Sequence, residues 1–160
     1  APGSDAVTGS FDRTDIRGVG GQRLREKWAE GPRTYLGLQI VGFPNLFTLV
    51  GPHNAATFCN IPRCIEQNVD WVTALIADMR ERGYARVEST PEAEREWTQH
   101  VHDTGRRMLF TQVDSWMMGI NSNVAGKQKR TFIVYAGGAP KYRERCDEVA
   151  ARGYPGFVFA

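Results

Sequence analysis

The sequence predicts an α/β fold, because segments with helical periodicity alternate with short apolar runs bounded by turn residues. Leu46–Val50 is a five-residue apolar run between two turns, a pattern typical of a buried strand. Gly51-Pro52 follows it, and a long helix is expected over residues 61–82. One face of this helix should carry Ile65, Val69, Val72, Leu75, Ile76 and Met79. Ligands of α/β proteins bind outside the carboxyl ends of strands, so this strand–turn–helix junction is the first candidate site.

The other helices and strands are predicted largely from helix-capping residues and from the positions of proline and glycine. A helix should begin at Thr90-Pro91, since threonine caps well and proline suits the first turn. Glycines at positions 83, 105 and 153 are expected near helix ends. The remaining expectations are strands at Ser10–Ile16, Arg130–Tyr135 and Phe157–Phe159, and helices at Gln22–Ala29 and Pro140–Arg152. Arg86–Glu88 should be a short strand or a linker.

Composition excludes several classes of protein. The 160 residues are 41% hydrophobic and 24% charged, with a net charge of +2 and interleaved signs, so no nucleic-acid surface is expected. No apolar run reaches membrane-spanning length and no signal peptide is recognisable, which predicts a cytoplasmic protein that does not engage a membrane. Cys59, Cys64 and Cys146 lack zinc-site spacing, so reduced thiols and no metal are expected.

Three further segments are candidate sites. Gly18-Val19-Gly20-Gly21 fails the dinucleotide fingerprint at Arg23 and should be a plain turn. His100 and His102 are two residues apart, so they cannot form a metal pair on one helix face, and surface roles are expected. His53 lies in the turn after the predicted strand, where a structural role and a ligand-facing role both stay open.

Two further positions have both a structural and a functional interpretation. Asn60-Ile61-Pro62 opens the long helix: Asn60 is a fair cap, and the helix end would also favour an anionic group or an electron-rich ring. Trp116 lies in a Gly- and Asn-rich segment, where it could fill a core or lie over a binding site.

Several phrases occur in an order and spacing that characterise a known family. They include LFTLVGP at 46–52, NIP at 60–62, TPEAE at 90–94, SW at 115–116, YAGG at 135–138 and CDEVAA at 146–151. Together they resemble the C-terminal part of the Baeyer–Villiger monooxygenases, the class B flavoprotein monooxygenases. The resemblance covers essentially the whole chain.

This resemblance implies an activity with two cofactors, FAD and NADPH. Family enzymes insert one oxygen atom of O2 next to a ketone carbonyl through a flavin peroxide and give an ester or lactone; here a bulky or cyclic ketone is expected. By position, Asn60, Ile61 and Pro62 would face the flavin, and Trp116, on a mobile covering loop at 113–130, would face NADP. The substrate pocket would include Phe58, Cys59 and Val134.

The resemblance also implies that residues 1–160 are one part of a longer polypeptide. The family's FAD fingerprint, NADP domain and catalytic arginine lie upstream of the matching part. Residues 1–160 are therefore expected to be the C-terminal portion of a Rossmann-like FAD-binding domain, inactive alone, whose partners are a ketone, O2 and the remainder of its own polypeptide. Two alternatives stay open: a stand-alone, non-catalytic α/β module that binds a nucleotide or partner, and the tail of a flavin monooxygenase that oxidises nitrogen or sulfur.

Overall fold

The computed structural model describes residues 8–55, 59–106, 108–109, 114, 116–120 and 131–160. Two short 3-10 turns, Val19–Gly21 and Trp116–Met118, accompany the regular elements. In chain order the helices and strands are α1 (Gly9–Arg13), α2 (Leu24–Lys27), α3 (Ile61–Glu81), β1 (Val87–Ser89), α4 (Pro91–Gly105), α5 (Ala139–Ala151) and β2 (Phe157–Phe159). None of the helices in these ranges is both long and apolar enough to cross a bilayer.

Helix α3 has the predicted bounds to within one residue. Asn60 caps its start, and Gly83, with φ of 76°, follows its end in the left-handed conformation that a side chain would disfavour. It packs against α5, where the Trp71 indole donates a 2.8 Å hydrogen bond to the Cys146 carbonyl. Local capping chemistry therefore fixes both ends of the element that carries the candidate site.

The inner face of α3 differs from the predicted stripe. Trp71, which contacts the Tyr154 and Phe157 rings, sets the rotation of the helix. Of the predicted set, Val72, Leu75 and Met79 are buried as expected. Cys64, Gln67, Asn68 and Trp71 take the other buried positions, whereas Ile65, Val69 and Ile76 are 37–43% exposed. The apolar surface of α3 is thus wider than the part covered by the described residues.

Helix α4 confirms its predicted start and α5 its predicted extent to within one residue. The Thr90 hydroxyl accepts a hydrogen bond from the Ala93 amide at 3.2 Å, and Glu92 and Glu94 lie in the first turn, where the helix dipole favours negative charge. Glu94 also ties α4 to α2: its carboxylate lies 3.0 Å from Lys27 Nζ and accepts the Val41 amide at 2.7 Å. Both side chains of this ion pair are largely buried.

Among the described residues, β1 and β2 form a single two-stranded antiparallel sheet, with Val87 opposite Phe159 and Ser89 opposite Phe157. The architecture is therefore a mixture of helix and strand, as the predicted α/β class requires in its coarse form. The predicted strand at Phe157–Phe159 is confirmed, and the one at Arg86–Glu88 is displaced by one residue.

Three predicted strands are wrong. Ser10–Ile16 contains α1 instead of a strand. Within the part of the chain that the structure describes, Leu46–Val50 makes a single bridge, from Phe47 to Gln39, because Asn45 and Val50 have φ of 58° and 48°, which a strand does not tolerate. The described part of Arg130–Tyr135 also lies outside any ladder. The strand that should have preceded α3 in a Rossmann-type unit is thus an irregular, bonded loop.

Candidate functional site at the start of helix α3

The first turn of α3 presents an exposed surface at the positive end of a 21-residue helix. Asn60, Ile61 and Pro62 are all exposed, and Ile61 has 55% of its surface accessible. The Asn60 side chain accepts the Arg63 amide at 3.5 Å, a long capping bond, and Pro62 has no N–H to satisfy. An apolar side chain beside a partial positive charge suits a flat, electron-rich or anionic ring.

His53 is buried and cannot face a ligand. None of its surface is accessible, and its φ of 65° is left-handed. Its ring nitrogens lie 3.3 Å from the Thr34 hydroxyl and 3.3 Å from the Phe132 carbonyl, so Nε2 is the donor and Nδ1 the acceptor. Burial, and then the nearby His102 ring, lower the pKa of His53 to about 3. The structural role left open by the sequence is the one the structure shows.

A buried polar network holds the loop that leads to the site against α3 and α5. The Asn68 side chain on α3 accepts hydrogen bonds from the Val50 amide at 3.0 Å and from Asn54 Nδ2 at 2.9 Å. Asn54 Nδ2 also donates to the Tyr142 hydroxyl at 2.7 Å, which in turn donates to the Leu36 carbonyl at 2.7 Å. Burial raises the pKa of Tyr142 well above its usual value, so the phenol stays a donor. This network sets where the loop at 50–55 lies relative to the helix start.

An extended segment, residues 131–135, joins this loop to the turn at Trp116–Met118. The Thr131 amide donates to the Met118 carbonyl at 2.7 Å, and the Ile133 amide donates to the Met117 carbonyl at 3.3 Å. On the other side the His53 amide donates to the Ile133 carbonyl at 2.9 Å. The Tyr135 amide likewise donates to the Asn54 carbonyl at 3.3 Å. The Trp116–Met118 turn and the His53 loop, which leads to the start of α3, are therefore bonded to the same backbone segment.

The predicted site residues fall into three groups. Asn60, Ile61 and Pro62 are together at the exposed helix start, and Cys59 and Asn60 line an open groove of about 980 Å³ between α3 and α5. Val134 is 2% exposed and belongs to the main core. Phe58 lies outside the described residues, as does most of 113–130; of Trp116 the structure describes the backbone, at the start of its turn.

The cysteines depart from the sequence prediction of free thiols. Cys59 and Cys64 are paired as a disulfide, with Cα atoms 6.7 Å apart, and only Cys146 is free. Sequence reasoning missed this pair, although its spacing was a signal. Cys59 precedes the cap and Cys64 is the fourth helical residue, the two positions that contact each other in a hydrophobic staple.

The remaining candidates are structural. Val19–Gly21 is an exposed 3-10 turn, which confirms the plain-turn interpretation. His100 is exposed, and His102 is half-buried with its ring centroid 5.9 Å from that of His53. Within the described ranges no three His, Cys, Asp or Glu side chains are grouped as metal ligands would be.

Comparison with known proteins places the chain among monooxygenases. It is 46% identical over all 160 residues to 2-oxo-Δ3-4,5,5-trimethylcyclopentenylacetyl-CoA monooxygenase of Pseudomonas putida. It is 37% identical over 158 residues to a Baeyer–Villiger monooxygenase of Pseudooceanicola batsensis, and 38% identical over 158 residues to phenazine N-monooxygenase PhzNO1 of Lysobacter antibioticus. These matches cover 99–100% of the chain but 28–29% of the relatives' own length.

Solved structures give the same family. A complex of OTEMO with FAD and NADP superposes with a TM-score of 0.88 at 46% identity, over 98% of this chain and 28% of that one. Cyclohexanone monooxygenase from Rhodococcus sp. Phi1 bound to NADP+ gives 0.91 at 39% identity, over 99% and 29%. No family model matches the chain. The chain is thus similar over essentially its whole length to Baeyer–Villiger monooxygenases, of which it spans less than a third.

Proposed function

We propose that this chain is the C-terminal segment of the FAD-binding domain of an FAD- and NADPH-dependent ketone monooxygenase. The whole enzyme would insert one oxygen atom of O2 beside the carbonyl of a bulky or cyclic ketone. The observation that carries the proposal is the likeness over 98% of the chain to OTEMO, a protein solved with FAD and NADP. The catalytic arginine, the FAD fingerprint and the NADP domain would belong to the rest of the polypeptide, which is the partner this segment needs.

The start of α3 suits a flavin ring. The bound flavin would supply the redox and oxygen chemistry, and NADPH the reducing equivalents. Ile61 offers an exposed apolar side chain for one face of a flat ring, flanked by Asn60 and Pro62. The dipole of α3 would stabilise negative charge on that ring, an electrostatic contribution that is preorganised because the cap and the Asn68 network already fix the helix.

The other assignments rest on the resemblance. Phe58 and Cys59 would shape the ketone pocket next to the helix start, and Val134 would contribute from the adjoining 131–135 segment. Trp116 would lie over NADP. The backbone bonds from 131–135 to both the Trp116–Met118 turn and the His53 loop support a shared site, because they hold these segments side by side.

A second candidate is oxidation of a nitrogen atom. The 38% identity to phenazine N-monooxygenase PhzNO1 extends over 99% of the chain, a coverage equal to that of the Baeyer–Villiger relative at 37%. The two reactions would use the same cofactors and differ in the nucleophilic or electrophilic character of the substrate. Product analysis therefore has to distinguish them.

The test compares the longer polypeptide that carries this chain with residues 1–160 alone. The long form should purify with bound FAD and oxidise NADPH faster when cyclohexanone is added, and the lactone should contain one oxygen-18 atom when labelled O2 is used. A phenazine that is converted to its N-oxide, with no lactone formed, would establish the second candidate. Bound flavin and ketone-dependent NADPH oxidation by residues 1–160 alone would refute the segment assignment. The absence of both cofactors from the long form would favour the non-catalytic module.

Trp116 gives the sharpest check on a single assignment. Trp116→Ala in the long form should raise KM for NADPH about tenfold, because an aromatic cover would be lost, while FAD content is unchanged. Leu109→Ala is the matched control, since Leu109 is 80% exposed on the preceding stretch and has no assigned role. Equal kinetics in the two variants would remove Trp116 from the coenzyme site.

A further inference from the structure

Cys59 and Cys64 occupy the two positions that control how the chain enters α3. In a hydrophobic staple the residue before the cap packs on the fourth helical residue and fixes the angle of approach. Here the same two positions are joined through sulfur. Their Cα separation of 6.7 Å lies within the range that disulfides span.

The surrounding turn is compatible with the dithiol as well as with the disulfide. The Cys64 amide donates to the Asn60 carbonyl at 3.1 Å, a helical bond that does not involve either sulfur. The Cys59 sulfur lies 3.2 Å from the same carbonyl, so a reduced thiol would have an acceptor. The two residues are only five apart, so the bond closes a short loop and its chain-entropy stabilisation is smaller than that of a long loop. The backbone bond of this turn and the acceptor for the Cys59 thiol are available with the disulfide open or closed.

Cys59 is half-buried and Cys64 is only 7% exposed, so a small reagent reaches the pair through Cys59. Cys59 and Cys64 line the open groove of about 980 Å³ between α3 and α5. Arg63, in the first turn of α3, lines the same groove. Acidic side chains outnumber the two arginines of the groove, Arg63 and Arg143, which favours a neutral oxidant over an anionic disulfide; the acidic residues are Glu66, Asp70, Glu144, Asp147 and Glu148.

Cys146 provides the internal contrast. It has no accessible surface and lies in the main core, and burial raises the pKa of its thiol to about 12. A protonated, enclosed thiol reacts slowly with peroxide or alkylating reagents. Cys146 is therefore less accessible to reagents than Cys59, which is half-buried.

We propose that Cys59 and Cys64 form a reversible dithiol–disulfide site that locks and unlocks the start of α3. One thiolate attacks hydrogen peroxide and takes one oxygen atom, which gives a sulfenic acid and releases one water after protonation. The second thiol then attacks that sulfur and expels a second water. Two thiols lose two electrons in all, and one peroxide is reduced to two waters. An external dithiol reverses the change by becoming a disulfide itself.

The experiment uses the 160-residue chain and needs no flavin, so its outcome is independent of the proposed function. The folded chain is reduced with dithiothreitol, desalted, treated with hydrogen peroxide, alkylated and mapped by mass spectrometry. Cys59 and Cys64 should lose alkylation together and appear as one cross-linked peptide lighter by two hydrogen atoms, and dithiothreitol should restore both. Cys146→Ser should behave identically, whereas Cys59→Ser and Cys64→Ser should form no intramolecular cross-link.

A second measurement separates a switch from a merely possible cross-link. Hydrogen exchange at residues 63–66 should be at least about threefold faster in the reduced chain than in the oxidised chain, since opening the bond frees the first turn. The doubly substituted Cys59→Ser, Cys64→Ser chain should give the reduced rate under both conditions. Alkylation of both cysteines after peroxide, a cross-link to Cys146, or equal exchange in the two redox states would each overturn the proposal.

Discussion

His53 is held neutral by its surroundings, and this has a consequence for stability at acid pH. Its ring faces the Thr34 hydroxyl, the Phe132 carbonyl and the His102 ring, none of which stabilises a positive charge enough to offset burial. The pKa is about 3 in the folded chain against an ordinary 6.5. Between these values the unfolded chain binds a proton that the folded chain does not, so stability is complete above pH 6.5 and falls as the pH drops.

Because of His53, we expect the free energy of unfolding to be about 2 kcal/mol lower at pH 5 than at pH 8. His53→Asn, which tolerates the left-handed backbone, should flatten the dependence of the unfolding free energy on pH between 4 and 6.5. Urea denaturation at a series of pH values measures this pH dependence. His100→Asn is the control and should keep most of the slope, since His100 is exposed. A slope unchanged in His53→Asn would refute the assignment.

The ion pair of Lys27 and Glu94 should matter more than the exposed pairs. Lys27→Met would leave the Glu94 carboxylate buried with only the Val41 amide as a described partner, and the expected loss is about 3 kcal/mol of unfolding free energy. Arg145→Met, which breaks an exposed pair with Glu148, should cost less than about 1 kcal/mol. Equal losses in chemical denaturation would show that the Glu94 site is relaxed or hydrated.

At the scale of elements, the two capped helices should respond unequally to loss of the cap. Thr90→Ala should destabilise the chain by about 1 kcal/mol, and Asn60→Ala by about half as much, because the Asn60 bond is longer, 3.5 Å against 3.2 Å. Thr90→Ser and Asn60→Asp keep a capping oxygen and should be close to neutral. Thermal unfolding of the four variants measures these losses of stability. A larger loss for Asn60→Ala than for Thr90→Ala would contradict the prediction.

The sequence predicted those elements whose signals are local. The ends of α3, α4 and α5 follow from Asn60, Thr90, proline in the first turn and glycine after the last, which act within a few residues. The strands at Leu46–Val50 and Arg130–Tyr135 were wrong because a strand exists only through partners elsewhere in the chain. Apolar composition alone could not show that Asn45 and Val50 turn the backbone out of the extended region.

The candidate site divides in the same way. Asn60, Ile61 and Pro62 could be predicted as an exposed helix start from one continuous phrase. The rotation of α3 could not, because Trp71 and the polar pair Gln67 and Asn68 are drawn inward by tertiary contacts that periodicity does not encode. The backbone bonds from 131–135 to the His53 loop likewise join residues about eighty positions apart and leave no local pattern.

At the scale of the whole molecule, α3 exposes an apolar stripe that includes Ile65, Val69 and Ile76. Such a patch lowers the solubility of the isolated chain, whose net charge is only +2. Replacing Ile65 and Ile76 by lysine should raise the concentration at which light scattering begins and reduce the binding of an apolar fluorescent dye. Stability should change by less than about 0.5 kcal/mol for each site, since both are on the surface.

A matched control separates the stripe from the added charge. Val19→Lys with Leu109→Lys adds the same charge at exposed apolar side chains away from α3. This pair should leave dye binding almost unchanged. If both double variants reduce dye binding and scattering equally, net charge is responsible and the stripe has no special role.

The extended segment 131–135, called the strip below, limits which loops of this protein can be exchanged with those of a relative. It donates to the Trp116–Met118 turn on one side and is bonded to the His53 loop on the other, so the two loops are not interchangeable modules. A loop exchange with a relative would have to transplant three pieces together: the turn, the strip and the loop at 50–55. Any one of them moved alone would leave backbone donors or acceptors in the recipient without their partners.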